Sequence, residues 1–354
     1  MIEKYFCHDD FCRIIPPYMI DKLLESKDSK IRKMALLSFK IDNFIRSVRF
    51  IHKKERDLLM EELKIKPVKI VKKKIRHIYD SQNSQHLPGI LVRKEGDKLS
   101  NDKEVDEAYE YLGDTYDFYN TIFKRNSIDN KGMRLDASVH YGDHYNNAFW
   151  NGWQMVFGDG DGKIFNRFTL DLDVVGHELT HGVTQHECAL IYRFQSGALN
   201  ESFSDIFGSM IKQFKLNQTV DQADWLIGAN LLIGEKYAIR SLKSPGTAYV
   251  NHPQLGTDPQ PSTMDKYKDL EIYQDNGGVH VNCGIPNHAF YVAAMELGGY
   301  AWEKVGLIWY KLLQKLDSNA NFERAAKLSI EIAEEMGEQE REAVIKGWKE
   351  VMVI

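Results

Sequence analysis

The 354-residue sequence predicts an α+β protein with a mostly β first lobe and a helical second lobe, preceded by a short helical segment. The stretch at residues 137–162, ASVHYGDHYNNAFWNGWQMVFGDGDG, is rich in aromatic residues and glycine, as strands and turns are. From about Asp171 onward, almost every patterned stretch has helical spacing. Strands followed by helices indicate α+β organisation, and the length allows two ordinary domains.

The N-terminal part is predicted to be a small helical unit ahead of the main body. Pro16 and Pro17 suit the start of a helix. The apolar positions on one side of that helix are Ile20, Leu23 and Leu24. A second helical pattern is formed by Ile31, Ala35, Phe39 and Ile45. The lysine-rich stretch 46–76 follows, and we interpret it as an exposed connector that leads into a strand.

Helical periodicity also marks the main body. One helix is predicted from the recurrence of Val105, Ala108, Leu112, Tyr116, Tyr119 and Phe123. Two C-terminal helices are predicted from Trp302, Val305, Trp309, Leu312 and Leu316, and from Phe322, Ala325, Ser329, Ala333 and Met336. The sequence contains no internal repeat or low-complexity tract.

The composition argues against several classes of protein. A hydrophobic fraction of 43% and a charged fraction of 27% are typical of globular proteins. The net charge of -5 gives no reason to expect nucleic acid or a membrane as partner. No apolar run approaches the roughly 18 residues of a membrane span.

The N-terminus and the cysteines bear on location and redox state. The sequence MIEKYFCHDDFCRIIPP lacks the basic start, apolar stretch and cleavage site of a signal peptide. We therefore expect the chain to be cytoplasmic as synthesised, with export by a non-classical route left open. The sequence has four cysteines, which are Cys7, Cys12, Cys188 and Cys283. They are too few for a domain framed by disulfides.

The segment VVGHELTHGVTQHE at 174–187 contains the pattern H-E-x-x-H, formed by His177, Glu178 and His181. Residues four apart lie on one face of a helix, so both imidazoles can reach one tetrahedral metal ion. Glu178 lies about 100° around the helix from His177, where it can hold a water molecule bound to that ion. The pattern predicts a zinc site with a carboxylate beside it.

A third ligand must come from elsewhere. The metzincin pattern would need glycine at position 184 and histidine at position 187, where the sequence has Thr184 and Glu187. His186 is one position off, and we assign it to the helix end or the surface. The segment SGALNESFSDIFG offers Glu201 and Asp205, spaced i, i+4. One carboxylate can bind the ion while the other accepts the N–H of a ligand histidine.

From about residue 109 to the C-terminus, the sequence resembles the thermolysin family of zinc endopeptidases. The resemblance is strongest in SVHYGDHYNNAFWNGWQMVFGDGDG, DVVGHELTHGVT, SGALNESFSDIFG, IRS and QDNGGVHVNCGIPNHAFY. PPYM at 16–19 is similar to the protealysin-like branch, whose precursors have a short propeptide. The resemblance implies a two-lobe fold with the active site between the lobes. The implied divisions are a helical propeptide at 1–60, a β-rich lobe at 61–190 and a helical lobe at 191–354.

The resemblance also implies roles for individual residues. The implied Zn²⁺ ligands are His177, His181 and Glu201, with a water molecule at the fourth position and Glu178 as general base. Asp205 and Asn200 match residues that orient the histidines. The implied groups at the oxyanion are His280, its partner Asp275, and Tyr192. The residues that match contacts to the substrate backbone are Asn147, Ala148, Trp150 and Arg240.

Substrate preference and calcium binding follow from further matching positions. The implied specificity pocket is apolar and consists of Phe165, Val174, Ile227 and Ile239, with Phe168 positioned to narrow it. It predicts cleavage on the amino side of bulky hydrophobic residues in peptide or protein substrates. The positions that match the paired calcium site of the family are Asp173, Lys212, Asp224, Leu226 and Ala229. Two carboxylates and a lysine do not suit calcium, so we expect this site to be empty.

Several further questions stay open at this point. A catalytically idle zinc protein is an alternative, although Glu178, Tyr192 and His280 argue against it. A hydrolase of non-peptide substrates is disfavoured by residues suited to a peptide backbone. If the first sixty residues fold over the cleft, the chain is a zymogen whose partner is its own propeptide. Cys7 or Cys12 could then reach the zinc as a thiolate, but ordinary free thiols are the favoured interpretation.

Overall fold

The computed structural model describes residues 12–45, 73–234 and 237–354. The predicted α+β organisation is confirmed, with a sheet in the first lobe and α-helices dominating the second. The boundary predicted near residue 60 and most of the connector at 46–76 lie outside the described residues. No helix among the described residues is long and apolar enough to cross a membrane.

The described residues of the N-terminal unit form two helices, α1 (Pro17–Leu24) and α2 (residues 29–45). Pro17 occupies the first turn of α1. A backbone N–H at this position has no partner within the helix, so proline is tolerated there. The second helix predicted from Ile31 to Ile45 is confirmed, although the side chain of Phe39 on it is 42% exposed. Polar Ser38 and Asp42 are buried on α2 instead, because each bonds to the main body.

The first lobe contains a five-stranded mixed sheet in the order β2-β1-β3-β5-β4. Its strands are β1 (Arg76–Asp80), β2 (Ile90–Lys94), β3 (Leu135–Val139), β4 (Ala148–Trp150) and β5 (Met155–Phe157). β3 pairs in parallel with β1 and β5, whereas the two outer strands pair antiparallel with their neighbours. β4 is therefore the edge strand of this sheet, and its outer side can pair with another segment of chain.

Helix α3 (Lys103–Phe123) packs against this sheet. The side chain of Asp102 caps it by accepting the N–H of Val105 at 3.1 Å. The same carboxylate lies 3.1 Å from Nε2 of His140, whose Nδ1 lies 2.9 Å from Asp159. His140 therefore joins the start of α3 to the loop that follows the sheet.

The stability of the protein should depend on pH through His140. The hydrogen bond to Asp159 raises the pKa of His140 to about 9, with a further contribution from Asp102 and against the effect of burial. Because an unfolded histidine has a pKa of about 6.5, this contribution is full below that value and is lost as the pH rises through the folded pKa. We expect the loss in free energy of unfolding caused by His140→Ala to shrink between about pH 6 and pH 10.

The measurement is urea unfolding in a Glu178→Gln background. This variant lacks the implied general base, so we expect it not to digest itself during the measurement. His144→Ala, at an exposed site beside Asp143, is the matched control. A difference between His140→Ala and its parent that stays constant across the pH range would contradict the prediction.

Two long helices, α4 (Leu172–Glu187) and α5 (Phe194–Leu216), pack against each other. They approach closely because glycines lie between them. A Cβ atom on Gly208 would lie 2.5 Å from the carbonyl oxygen of Asp173, and one on Gly176 would lie 3.3 Å from the Cα of Gly208. This close packing brings the polar face of α5 against the histidines of α4.

The remaining helices are α6 (Asp275–Asn282), α7 (Gly284–Leu297), α8 (Lys304–Lys315), α9 (Phe322–Glu334) and α10 (Glu338–Glu350). The patterned stretches predicted to be helical after Asp171 are confirmed, and one long irregular stretch separates them. Between Asn217 and Gln274 the described residues form turns, the two-stranded sheet of β6 (Leu226–Ile227) and β7 (Arg240–Ser241), and one short 3₁₀ helix. Glycine and proline are frequent there, and both favour turns.

Candidate active site

The two histidines of α4 point their Nε2 atoms at one place. The distance between Nε2 of His177 and Nε2 of His181 is 3.1 Å, and both side chains are buried. Burial lowers the pKa of His177 to about 4, so this imidazole is neutral and its lone pair is available to a cation. Two nitrogen ligands of a tetrahedral zinc ion lie about 3.3 Å apart, close to the separation seen here.

Glu201 on α5 faces the same place. Its Oε2 lies 3.5 Å from Nε2 of His177, and its Oε1 lies 3.3 Å from Nε2 of His181. Oε2 is buried and makes no hydrogen bond with any described residue. A buried carboxylate oxygen without a hydrogen bond is unfavourable unless a cation completes its environment. His177, His181 and Glu201 therefore fit a zinc ion.

The other ring nitrogens of the two histidines are held by neighbours on α5. Nδ1 of His177 lies 2.8 Å from Asp205, and Nδ1 of His181 lies 2.8 Å from Oδ1 of Asn200. These acceptors fix the tautomer in which Nδ1 carries the proton and Nε2 is free to bind a metal. Ser204, which the sequence reasoning did not single out, adds a contact to Nδ1 of His181 at 3.1 Å.

Asp205 is also the centre of a buried polar network. Arg240 donates to it from Nε and Nη2 at 2.8 Å each, and Asn287 donates at 2.9 Å. Asp205 and Arg240 are both fully buried. Arg240 thus serves two groups at once, because its Nη1 donates to the carbonyl of Ile14 in the N-terminal unit.

Glu178 lies on α4 between the two histidines and is fully buried. Its Oε2 accepts the backbone N–H of Trp150 on β4 at 3.0 Å, whereas its Oε1 makes no hydrogen bond within the described part of the chain. Burial raises the pKa of Glu178 to about 8, with a further contribution from the charge of Glu201. A carboxylate of this kind can both accept and return a proton near neutral pH.

A second proton-donating group faces the same space from α6. Oδ1 of Asp275 contacts Nδ1 of His280, and its Oδ2 accepts the backbone N–H of His280 at 2.9 Å. Residues 275–278 have left-handed backbone angles, and this turn brings the Asp275 carboxylate back to the start of the helix that follows. Burial acts to lower the pKa of His280, but the charges of Glu201 and Asp275 outweigh it and raise the pKa. Tyr192 lies 3.1 Å from Nε2 of His280 and also donates to Glu201.

The residues before α1 lie in the cleft formed by these groups. The N–H of Ile14 donates to the carbonyl of Ala148 at 3.3 Å, and the N–H of Ile15 donates to Oδ1 of Asn147 at 3.0 Å. The carbonyl oxygen of Arg13 lies 2.9 Å from Nε2 of His280. Residues 13–15 therefore contact the outer edge of β4, and the carbonyl of Arg13 faces the histidine of α6.

The four apolar positions assigned to a specificity pocket are all buried, and they come from different parts of the fold. Val174 is in the first turn of α4, and Phe165 lies in the loop before α4. Ile227 and Ile239 are bonded through their backbones at the small β6–β7 sheet. All four belong to the same large apolar core as Ile14 and Phe168.

Sequence reasoning did not assign functional positions to Arg13, Ile14, Ile15 or Asn287. The signal for the first three was the adjoining PPYM, which marked the segment but not its place in the cleft. Asn287 lies in GIPNHAF, a stretch that was noted without a role for this residue. His186, assigned to the helix end, is exposed in the last turn of α4.

Comparisons with known proteins cover nearly the whole chain. Residues 58–185 match the family model described as thermolysin metallopeptidase, catalytic domain, and residues 188–353 match thermolysin metallopeptidase, alpha-helical domain. An extracellular metalloprotease of Pectobacterium carotovorum subsp. carotovorum is 49% identical over 347 residues, which cover 97% of this chain and 96% of that protein. Protease PrtS of Photorhabdus sp. (strain Az29) is 46% identical over 355 residues, which cover 97% and 92%. A similar solved structure is the precursor of protealysin, a metalloproteinase from Serratia proteamaculans. It has a TM-score of 0.86 and 48% identity, covering 97% of this chain and all of that one.

Proposed function

This chain belongs to the thermolysin family of zinc metallopeptidases, and we propose that His177, His181 and Glu201 bind its zinc ion while Glu178 acts as the catalytic base. The family resemblance noted in the sequence is thereby confirmed. The observation that supports the metal site is the convergence of two Nε2 atoms and one otherwise unbonded carboxylate oxygen. The activity is the hydrolysis of peptide bonds.

The residues around the metal site have different roles in that reaction. When bound, zinc polarises a substrate carbonyl and makes a water molecule more acidic. Glu178 accepts a proton on its buried carboxylate and later delivers it to the departing amine. His280 and Tyr192 are hydrogen-bond donors at the carbonyl oxygen, where negative charge grows in the transition state. Asp275 keeps His280 protonated and oriented for this task.

The position of the N-terminal unit supports a substrate direction. In this interpretation, the carbonyl of Arg13 marks the place of the carbonyl that is attacked, because it faces His280. The next residue, Ile14, marks the residue whose amine leaves, and its side chain is fully buried. The enzyme would then cleave on the amino side of bulky apolar residues, which fill a pocket formed by Phe165, Val174, Ile227 and Ile239.

Profiling of the matured enzyme against a peptide library tests this preference. We expect leucine, isoleucine and phenylalanine to dominate on the carboxyl side of the cleaved bond, because an apolar pocket rewards apolar area. Activity should disappear on chelation and return with zinc. A preference for acidic residues or glycine at that position would contradict the proposed pocket. Zinc-independent cleavage would contradict the proposed site.

The N-terminal residues 12–45 are proposed to act as the propeptide of a zymogen. They occupy the substrate edge of β4 and the guanidinium of Arg240, so a substrate cannot bind there at the same time. The side chain of Arg13 forms an ion pair with buried Asp42, which also accepts a hydrogen bond from the hydroxyl of Tyr145 at 2.6 Å. The propeptide therefore depends on its own helix α2 to keep the strand in the cleft.

We also propose that the paired calcium site of the family is replaced by an internal ion pair. The ammonium group of Lys212 lies 2.6 Å from Asp173, 2.9 Å from Asp224 and 2.8 Å from the carbonyl of Leu226. One fixed positive charge thus binds the oxygens that a calcium ion would need. We expect a calcium-specific chelator to leave the melting temperature unchanged, and Lys212→Met to lower it. A fall in melting temperature with the chelator alone, reversed by calcium, would contradict the proposal.

A further inference from the structure

The N-terminal segment in the cleft presents a peptide bond to the active site. Residues 13–15 run past the active site in the direction proposed for a substrate, and the peptide bond between Arg13 and Ile14 lies where a substrate would be cut. Glu178, His280 and Tyr192 are all in place in this precursor form. A propeptide held in this way must be protected from the enzyme it blocks.

The residue that precedes Arg13 is a cysteine, and it lies at the metal site. Cys12 is buried in a small cluster with Tyr192 and Val279. Tyr192 in this cluster donates to Glu201, and its ring centroid lies 6.0 Å from that of His181, one of the two histidines that face the metal position. The backbone of Arg13, fixed at His280, holds Cys12 in this place.

The metal site has a fourth position that either water or a protein side chain can occupy. Zinc in proteins is usually tetrahedral, and His177, His181 and Glu201 supply three ligand atoms within 4.8 Å of one another. Oε2 of Glu201 is buried without a hydrogen bond to a described residue, as expected of an oxygen that awaits a cation. A cysteine thiolate binds zinc strongly and would complete the set.

We propose that Cys12, as a thiolate, is the fourth protein ligand of the zinc ion in the precursor. Ligation breaks the S–H bond, forms a Zn–S bond and releases the proton to solvent, with no change in oxidation state. The group of ligand atoms that lie within 4.8 Å of one another does not include the Cys12 sulfur. Ligation therefore requires the Cys12 side chain to turn toward the ion. With the fourth position taken by sulfur, a water molecule cannot be activated there against the Arg13–Ile14 bond.

This proposal rests on the zinc site of the proposed function and adds the propeptide to it. It replaces the interpretation of Cys12 as an ordinary free thiol. It also gives the propeptide two separate holds on the enzyme. One is the backbone pairing of Ile14 and Ile15 with β4 and Asn147, and the other is a bond to the metal. Only the second depends on a sulfur atom, so the two can be separated by substitution.

The test uses the full-length Glu178→Gln precursor, which we expect to stay intact, loaded with Co²⁺ in place of zinc. Thiolate ligation gives a sulfur-to-cobalt charge-transfer band in the near ultraviolet, whereas imidazole and carboxylate ligands do not. We expect this band in the parent and its loss in the Cys12→Ser variant, with the visible cobalt bands retained. Cys188→Ala, at a buried cysteine that ends α4, and Cys7→Ser are matched controls that should keep the band.

The outcomes distinguish this proposal from the proposed function. A parent that binds cobalt without the band, or a Cys12→Ser variant that keeps the band, would overturn Cys12 ligation and leave the three-ligand site standing. A parent that binds neither cobalt nor zinc would overturn the metal site itself. Retained visible bands in Cys12→Ser show that the variant is folded and still binds metal.

A second readout uses mass spectrometry of zinc-loaded precursors with Glu178 intact. In the Cys12→Ser variant we expect water to add across the Arg13–Ile14 bond, giving a new carboxylate at Arg13 and a new amine at Ile14. The parent should lack this cut. Persistence of an intact Arg13–Ile14 bond in the variant, with zinc bound, would overturn the protective role of Cys12.

Discussion

Replacing Glu178 with glutamine is expected to lower peptide hydrolysis by a factor of about 10²–10⁴, because glutamine has no carboxylate to accept and return the proton. Glutamine preserves the shape of the side chain, and its carbonyl can still accept the backbone N–H of Trp150. The ligand atoms of His177, His181 and Glu201 are untouched. Zinc content, measured by atomic emission on the purified protein, should therefore stay at the parent level.

The comparison of activity with metal content makes this prediction specific. A variant that loses zinc together with activity would mean that Glu178 supports the metal site rather than the proton transfer. A variant that keeps substantial activity would mean that another group is the base. Gln185→Ala is a suitable control on the same helix, because its side chain is exposed and contacts the indole of Trp150 without facing the metal position.

Replacing Asp205 with alanine is expected to destabilise the fold by about 3–5 kcal/mol, because it leaves the buried guanidinium of Arg240 without its counter-charge. The carboxylate of Asp205 accepts hydrogen bonds from Arg240 and Asn287 and contacts Nδ1 of His177. All of these groups are inaccessible to solvent, so water cannot replace the lost acceptor. Urea unfolding of the Glu178→Gln precursor, with and without the second substitution, measures the difference.

The same substitution should weaken metal binding by about 10–100-fold, because the orientation and basicity of His177 depend on its partner. Competition with a chelator of known affinity measures this change. The matched control is Glu296→Ala, which removes an exposed carboxylate paired with Lys346 and should change stability by less than about 1 kcal/mol. Equal effects of the two substitutions would contradict the central role of the Asp205 network.

A change at Asp205 also tests how the propeptide is held. Arg240 joins Asp205 to the carbonyl of Ile14, so a displaced guanidinium would loosen the strand in the cleft. The pair of Arg13 and Asp42 lies at a different place and should be unaffected. Limited proteolysis of the precursor variant would then report easier release of residues 12–45, even where the catalytic body remains folded.

Much of the fold could be predicted from the sequence where the signal is local. The helical spacing of residues 105–123 and 302–336 matches the observed helices α3, α8 and α9. Glycine and aromatic residues marked the region of β3, β4 and β5. Periodicity predicted α2 but not its buried face, because α2 buries polar residues that bond to the main body while Phe39 is exposed. Periodicity cannot show which polar side chains will find partners in another part of the chain.

The metal site also depends partly on local sequence spacing and partly on contacts between distant parts of the chain. The spacing of His177 and His181 determines that their side chains share one face of a helix, whatever the rest of the fold does. The family resemblance then indicated Glu201 as the third ligand, where spacing alone left Glu201 and Asp205 open. Their separate tasks depend on the close approach of α4 and α5 at Gly176 and Gly208.

The sequence by itself determined several of the helices, the histidine pair and the identity of the family, because these depend on residues a few positions apart or on matching motifs. Only the tertiary structure decided that residues 12–15 enter the cleft, that Arg240 serves both Asp205 and Ile14, and that Lys212 reaches Asp173. The physical reason is distance along the chain. Arg240 and Ile14 are 226 positions apart, and such contacts are set by packing of the whole chain rather than by local backbone geometry.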